Sequence, residues 1–273
     1  MIKCIILVPV YKSIPTAEEQ ISFIQLLKIL SNYRITLITY PELDISFYLE
    51  LANSFQVKLN VKFFSKSDFQ SLKSYNDLCL NIEFYKEFEE FNYMLIYQLD
   101  CFVFRDELNN WCKKNYDYIG APWFTENSSH EEGAELWKVG NGGLSLRKVK
   151  TFIKILEHKK NIYTTKRAYK INKANNGDLF DFIKMVFQGK NNRMSYLVES
   201  WKDAEDIFYC LVLENTKLKL HVPPIEEALQ FAFEKSPAYL FNLNNQILPF
   251  GCHAWKKYQY NEFWKGYITY EER

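Results

Sequence analysis

Met94-Leu-Ile-Tyr-Gln-Leu-Asp-Cys-Phe-Val-Phe104 sets one acid, Asp100, at the end of an apolar run. The β-favouring residues before it and the aromatic or branched ones after it predict a buried strand that breaks at Gln98 to Asp100. A carboxylate among apolar neighbours is costly to bury unless it is paired, hydrogen-bonded or metal-bound. In an open α/β sheet, ligands bind outside the carboxyl ends of the strands. Asp100 is therefore expected to meet a ligand, against the plainer reading of a turn or helix cap ahead of Arg105-Asp106.

Upstream of this stretch the pattern alternates. Residues 3–10 form an apolar strand pattern, and Thr16-Ala-Glu-Glu19 is a capping box opening a helix whose Ile21, Ile24, Leu27 and Leu30 recur at helical spacing. Residues 35–40 predict a second strand, 45–55 a helix, 57–64 a third strand and 75–88 one long helix. This βαβ order implies a largely parallel sheet with right-handed crossovers. Downstream, 107–114 reads as a short helix and 116–119 as a strand. The polar stretch 124–137 is long enough for a mobile lid. A strand at 144–147 and a helix at 149–158 follow, and the basic, weakly patterned 161–177 predicts a flexible insertion.

The bulk properties bound the function. At 273 residues with 48% hydrophobic content, the chain has material for one large α/β core. Thirty-four basic against thirty-three acidic residues give a net charge of +1, so nothing global recruits nucleic acid. The apolar run at residues 4–10 is too short to span a bilayer, and Lys3 alone does not make a signal peptide, which points to the cytoplasm. Six cysteines without a C-x-x-C pair fit reduced thiols rather than a disulfide frame.

Four motifs, Tyr-Gln-Leu-Asp100, Tyr-Asp-Tyr-Ile-Gly-Ala-Pro-Trp123, Gly-Asn-Gly-Gly-Leu-Ser-Leu-Arg147 and Pro-Phe-Gly-Cys-His-Ala-Trp255, together with the element order over roughly residues 1–260, resemble nucleotide-sugar glycosyltransferases of the GT-A fold. More closely, they resemble a bacterial family of uncharacterised glycosyltransferases. The resemblance implies a single GT-A-like α/β domain over 1–273 with a mainly parallel central sheet. Residues 1–104 form its Rossmann-like, nucleotide-sugar-binding half and 105–273 its acceptor-binding half. It implies hexosyl transfer from a nucleotide-diphosphate sugar, a UDP-sugar first, to a saccharide or lipid-linked acceptor in bacterial surface polysaccharide synthesis.

Residue by residue, Asp100 matches the metal-binding acid of the Asp-x-Asp motif, and Gln98 stands where its first Asp would be. The chemistry needs hard oxygen ligands for Mn²⁺ or Mg²⁺ on the departing diphosphate. The lost carboxylate leaves a metal-independent enzyme open. Pro9, Val10 and Tyr11 match the nucleoside-contacting segment, with Tyr11 able to stack on the base, and Asn76 is a further donor contact unless it only starts a helix. In Gly140-Asn-Gly-Gly143 the resemblance makes Gly142 and Gly143 a backbone approach to the donor sugar and Asn141 a partner for a sugar hydroxyl. The plain alternative is a hairpin turn. Glu205 and Asp206 offer the base of an inverting enzyme, Asp206 being favoured and kept ionised by a helix amino terminus, or else merely open that helix. His253 completes a metal shell, or is a structural histidine.

The aromatic and basic carboxy-terminal residues 255–267 fit packing against the sheet better than peripheral contact with a membrane. A noncatalytic sugar- or nucleotide-binding protein with a degenerate site is the main alternative function. Nucleotidyl transfer is disfavoured because Val8-Pro-Val-Tyr-Lys-Ser13 lacks a Gly-rich, Lys-Arg-containing triphosphate loop.

Overall fold

The computed structural model describes residues 2–125 and 134–268. The expected alternation is present: β1 (Cys4–Pro9), β2 (Arg34–Thr39), β3 (Asn60–Phe63) and β4 (Tyr93–Tyr97) pair in parallel in the order β3-β2-β1-β4. The helix Ala17–Ile29 joins β1 to β2, and its Thr16 and Glu19 form both arms of the capping box. The side-chain period of two explains why the central strands β1 and β4 are continuously apolar, since both their faces are covered. On β1, Ile6 and Val8 enter one core layer with Phe23 and Leu26, whereas Ile5 and Leu7 enter the other with Phe84 and Tyr85. Each such side chain stabilises the fold by about 1.5–3 kcal/mol relative to exposure.

Past β4 the chain crosses to a second, smaller sheet and returns. β5 (Phe102–Val103) leaves the main sheet, β6 (Tyr118–Ile119) rejoins it, and β7 (Pro122–Phe124) pairs with β8 (Leu136–Val139) as a separate antiparallel ribbon. β9 (Leu144–Lys148) then enters antiparallel between β4 and β6. The fold is thus mixed α/β with a mainly parallel central sheet. Near the carboxy end, β10 (Ala232–Phe233) and β11 (Gly251–Cys252) join β5 in the order β10-β11-β5.

Two expectations change. The long helix at 75–88 is two helices, Leu72–Cys79 and Ile82–Lys86, because Asn81 turns the chain and caps the second by accepting from the Glu83 amide. The supposed flexible insertion contains a helix, Thr165–Ala174, started by Thr164 accepting from the Arg167 amide. Local capping there outweighs the weak apolar pattern. The expected lid falls largely on residues 126–133, outside the described residues, while its two flanks are the β7 and β8 arms. The carboxy-terminal aromatics pack inward: Trp255 and Trp264 are fully buried, and Trp264 stacks on Phe104. All six cysteines are free thiols.

Candidate functional site

The register of the small sheet brings three side chains from distant sequence to one point. β11 pairs with β5 so that Cys252 lies opposite Phe102, and with β10 so that Cys252 lies beside Phe233. The next residue on β11 is His253, the next on β10 is Glu234, and Asp100 stands two residues ahead of β5. His253 Nε2 is 3.3 Å from Asp100 Oδ1, and His253 Nδ1 is 3.2 Å from Glu234 Oε1. Asp100 Oδ1 and His253 Nε2 are buried and face each other as an ion pair, and neither has a hydrogen-bond partner elsewhere among the described residues. Burial opposes charge on the imidazole, but the Asp100 and Glu234 carboxylates on its two sides raise His253 to about 10. Burial likewise pushes both carboxyls up, and the histidine outweighs it, holding each below its usual range.

These two convergent ligand atoms, with no partner but each other, fit a divalent cation, the imidazole giving up its proton to bind it. Among the described residues no three His, Cys, Asp or Glu side chains converge as a complete metal cage. Glu234 instead holds the far nitrogen of the imidazole, the usual support for a metal-binding histidine.

Behind this pair lies a buried ion pair. Arg147 on β9 is wholly inaccessible; its guanidinium donates to Glu205 Oε1, to the Tyr85 hydroxyl and to the Ser145 hydroxyl. Glu205 Oε2 accepts from the Asp206 amide, so both oxygens of Glu205 are engaged. Asp206 Oδ2 accepts from the Gly142 amide at 2.9 Å and Oδ1 from the Ile207 amide at 2.8 Å. The helix Glu205–Ile207 is only one turn, running into a π-helical turn at Phe208–Val212. Its amino terminus does not keep Asp206 acidic: burial, followed by the Glu205 charge, pushes it up to about 7.

The Gly-rich turn serves these side chains. A Cβ on Gly142 would come within 2.7 Å of Glu205 Oε1, and one on Gly143 within 2.1 Å of His253 Nε2. The absent side chains make room for the acid and the imidazole, and this close approach is what demands glycine at both positions. Asn141 sits at a φ of 67° and spends its side chain on the turn. Its carbonyl accepts from the Gly143 amide, and its amide nitrogen is 3.1 Å from His253 Nδ1. Asn141 thus shapes the turn while also bordering the second hollow.

Two hollows meet at this point. One, of about 380 Å³, is lined by Pro9, Tyr11, Tyr75, Gln98 and Asp100 at the carboxyl ends of β1 and β4. The other, of about 470 Å³, is lined by Asn76, Asn141, Gly142, Asp206, Glu234 and His253. Gln98 and Leu72 border both. The Asp100–His253 pair therefore bridges the two hollows. Val10 is fully buried in the core and lines neither hollow. Glu234 and Arg147 escaped the sequence reading. Glu234 carried a usable signal, an acid closing the apolar run Phe231-Ala-Phe233, the same feature that marks Asp100.

Replacing Glu234 by Gln keeps the size but weakens the hold on the imidazole. Mn²⁺ affinity, read by paramagnetic resonance of the free ion, is expected to fall 10- to 100-fold. Unchanged affinity would leave Glu234 without a part in the site.

The model of a family described as protein of unknown function (DUF5672) matches residues 58–253. No curated protein matches the sequence. Among solved structures, the chain is similar to the apo form of the glycosyltransferase GlyE from Streptococcus pneumoniae TIGR4, at 12% identity and a TM-score of 0.45, over 99% of this chain and 61% of that one. It is also similar to mouse xyloside xylosyltransferase 1 in its apo form, at 10% identity and a TM-score of 0.49, over 92% and 97% of the two chains. A third is core-mannan synthase A from Aspergillus fumigatus in a Mn/GDP form, at 10% identity and a TM-score of 0.42, over 79% and 70%. The likeness is one of fold, and the chain spans about 61% of the length of the GlyE structure it matches.

Proposed function

We propose that this chain, which belongs to the DUF5672 family, is a glycosyltransferase that moves a sugar from a nucleotide-diphosphate donor, a UDP-sugar first, to a saccharide or lipid-linked acceptor. The observation that carries this is the Asp100–His253 pair, two facing ligand atoms with no partner but each other at the junction of two hollows. A nucleotide sugar has the same division, nucleoside on one side, sugar on the other and a diphosphate between. The first hollow would take the nucleoside, with Tyr11, half exposed, free to stack on the base. Gln98, on the shared border, would donate its amide to the donor. The second hollow would take the sugar and the acceptor hydroxyl.

A divalent cation held by Asp100 Oδ1 and His253 Nε2 would neutralise charge on the departing diphosphate. Both acids line the second hollow, but Asp206 is the better base, because Glu205 is committed to the Arg147 guanidinium while Asp206 is held only by backbone amides and has a carboxyl poised near neutrality. Inversion at the anomeric carbon follows from that assignment, since the base must act opposite the leaving group. Bacterial surface polysaccharide synthesis, carried by the sequence resemblance, remains the proposed setting.

The substitution of Gln98 for a carboxylate favours one second reading, a nucleotide-sugar-binding protein without turnover. The test compares thermal stabilisation by UDP with Mn²⁺ and with a chelator, and then hydrolysis of a UDP-sugar. Saturation at a hundred times Kd should stabilise the fold by about 2.7 kcal/mol, with Mn²⁺ required for most of it. Asp100→Ala should remain folded and lose the Mn²⁺-dependent part together with hydrolysis. Equal stabilisation in chelator removes the cation from the site, and binding without any hydrolysis gives the noncatalytic reading.

A further inference from the structure

The segment 161–177, expected to be a flexible insertion, forms a helical hairpin with the residues that follow it, and the hairpin has an unusual surface. Thr165–Ala174 is its first helix; the second starts at Leu179–Ile183, capped by Asp178, and runs on through a π-helical turn at Lys184–Gln188. The Asn172 side chain ties the connecting turn by donating to the Gly177 and Asp178 carbonyls, and Tyr169 meets Phe182 edge to face. The hairpin is thus held together locally, with Ala168 and Met185 buried beneath it.

Its outer surface combines two features that soluble surfaces keep apart. Leu179, Phe180, Ile183 and Phe187 are 73%, 61%, 40% and 77% exposed. Positions 179, 183 and 187 recur at a spacing of four, so these side chains share one face of the second helix. The neighbouring positions are cationic. Lys166, Lys170 and Lys173 form a stripe on the first helix, and Arg167, Lys184, Lys190 and Arg193 surround them. Residues 165–193 carry these seven basic side chains against two acidic ones in a chain whose net charge is +1. Among the described residues none of the seven has an ion-pair partner, although pairs are common elsewhere on the molecule. The Lys184 ammonium sits 4.0 Å above the Phe180 ring, its stem lying along the apolar face.

We propose that this hairpin docks the protein on an anionic phospholipid surface. Leu179, Ile183 and Phe187 enter the headgroup boundary, and the lysine stripe lies over lipid phosphates. A projecting helix edge with large apolar side chains flanked by unpaired cations matches the chemistry of such an interface. The positive charge selects an anionic bilayer over a neutral one. The inference does not depend on the transfer reading, and Trp255 and Trp264, buried as they are, take no part in it.

The test is co-sedimentation of the whole chain with vesicles, no donor or acceptor being present. Vesicles of equal parts phosphatidylcholine and phosphatidylglycerol should bind the protein at low salt and release it as salt screens the lysines. Vesicles of phosphatidylcholine alone should not bind. Lys166→Gln with Lys170→Gln should weaken binding by about 30-fold, from about 1 kcal/mol per lysine near the surface. Leu179→Ser with Phe187→Ser should abolish it, with a melting temperature no lower than that of the parent, since both residues are exposed. Absence of binding to the mixed vesicles, equal binding to the neutral ones, or full binding by both double variants overturns the proposal. So does a dimer of the parent chain without vesicle binding that Leu179→Ser with Phe187→Ser disperses, which would assign the face to a second copy.

Discussion

Asp206→Asn is expected to lower transfer to acceptor by roughly 10² to 10⁴ while leaving donor affinity in place, because the amide keeps the shape and one acceptor oxygen but cannot take a proton. The retained oxygen can still accept from the Gly142 amide and keep the turn beneath the site, while the bond from the Ile207 amide to the other oxygen is given up. The pH profile supplies a second reading of the same group. With Asp206 raised to about 7 by burial and the Glu205 charge, it carries a proton below that pH and cannot act as a base. The rate of transfer should therefore climb with pH through about 7 in the parent enzyme, and this limb should vanish in the residual activity of Asp206→Asn. Normal transfer by the variant moves the base elsewhere, and loss of donor binding makes Asp206 a donor contact.

Arg147→Met carries the largest expected cost in stability, about 3–5 kcal/mol, measurable by urea unfolding. The substitution leaves Glu205 as a buried carboxylate with its counter-ion gone, and the hydroxyls of Tyr85 and Ser145 lose a donor. Removing both charges, as in Arg147→Met with Glu205→Leu, should recover most of the loss, since a well-packed apolar pair avoids the desolvation of two ions. A cost near 1 kcal/mol for the single variant would mean that the pair is not the buried bridge described. The two experiments separate adjacent acids: Glu205 is read through folding, Asp206 through catalysis.

The α/β alternation was legible because it rests on local signals. The apolar runs of β1 and β4 are long enough to need cover on both faces, and the Thr16 capping box has one structural use. Asp100 was legible for a related reason, as an acid in an apolar stretch is costly wherever the chain goes. The break at Asn81 and the helix behind Thr164 were misjudged because a single capping residue decided each against the surrounding pattern.

The partners of Asp100 were a different matter. Chain order carries no information on which strand ends lie side by side. Glu234 and His253 meet Asp100 only because β10, β11 and β5 pair in one particular register. The roles within the pair of acids were equally hidden: Glu205 and Asp206 are neighbours in sequence and both border the second hollow, yet one is held by the Arg147 guanidinium and the other by backbone amides alone. By itself the sequence determined the layered α/β architecture and the cost of isolating Asp100 among apolar residues. The tertiary structure alone decided which groups meet that acid and which carboxylate is neutralised, because strand register and burial, not spacing along the chain, set distances and local dielectric.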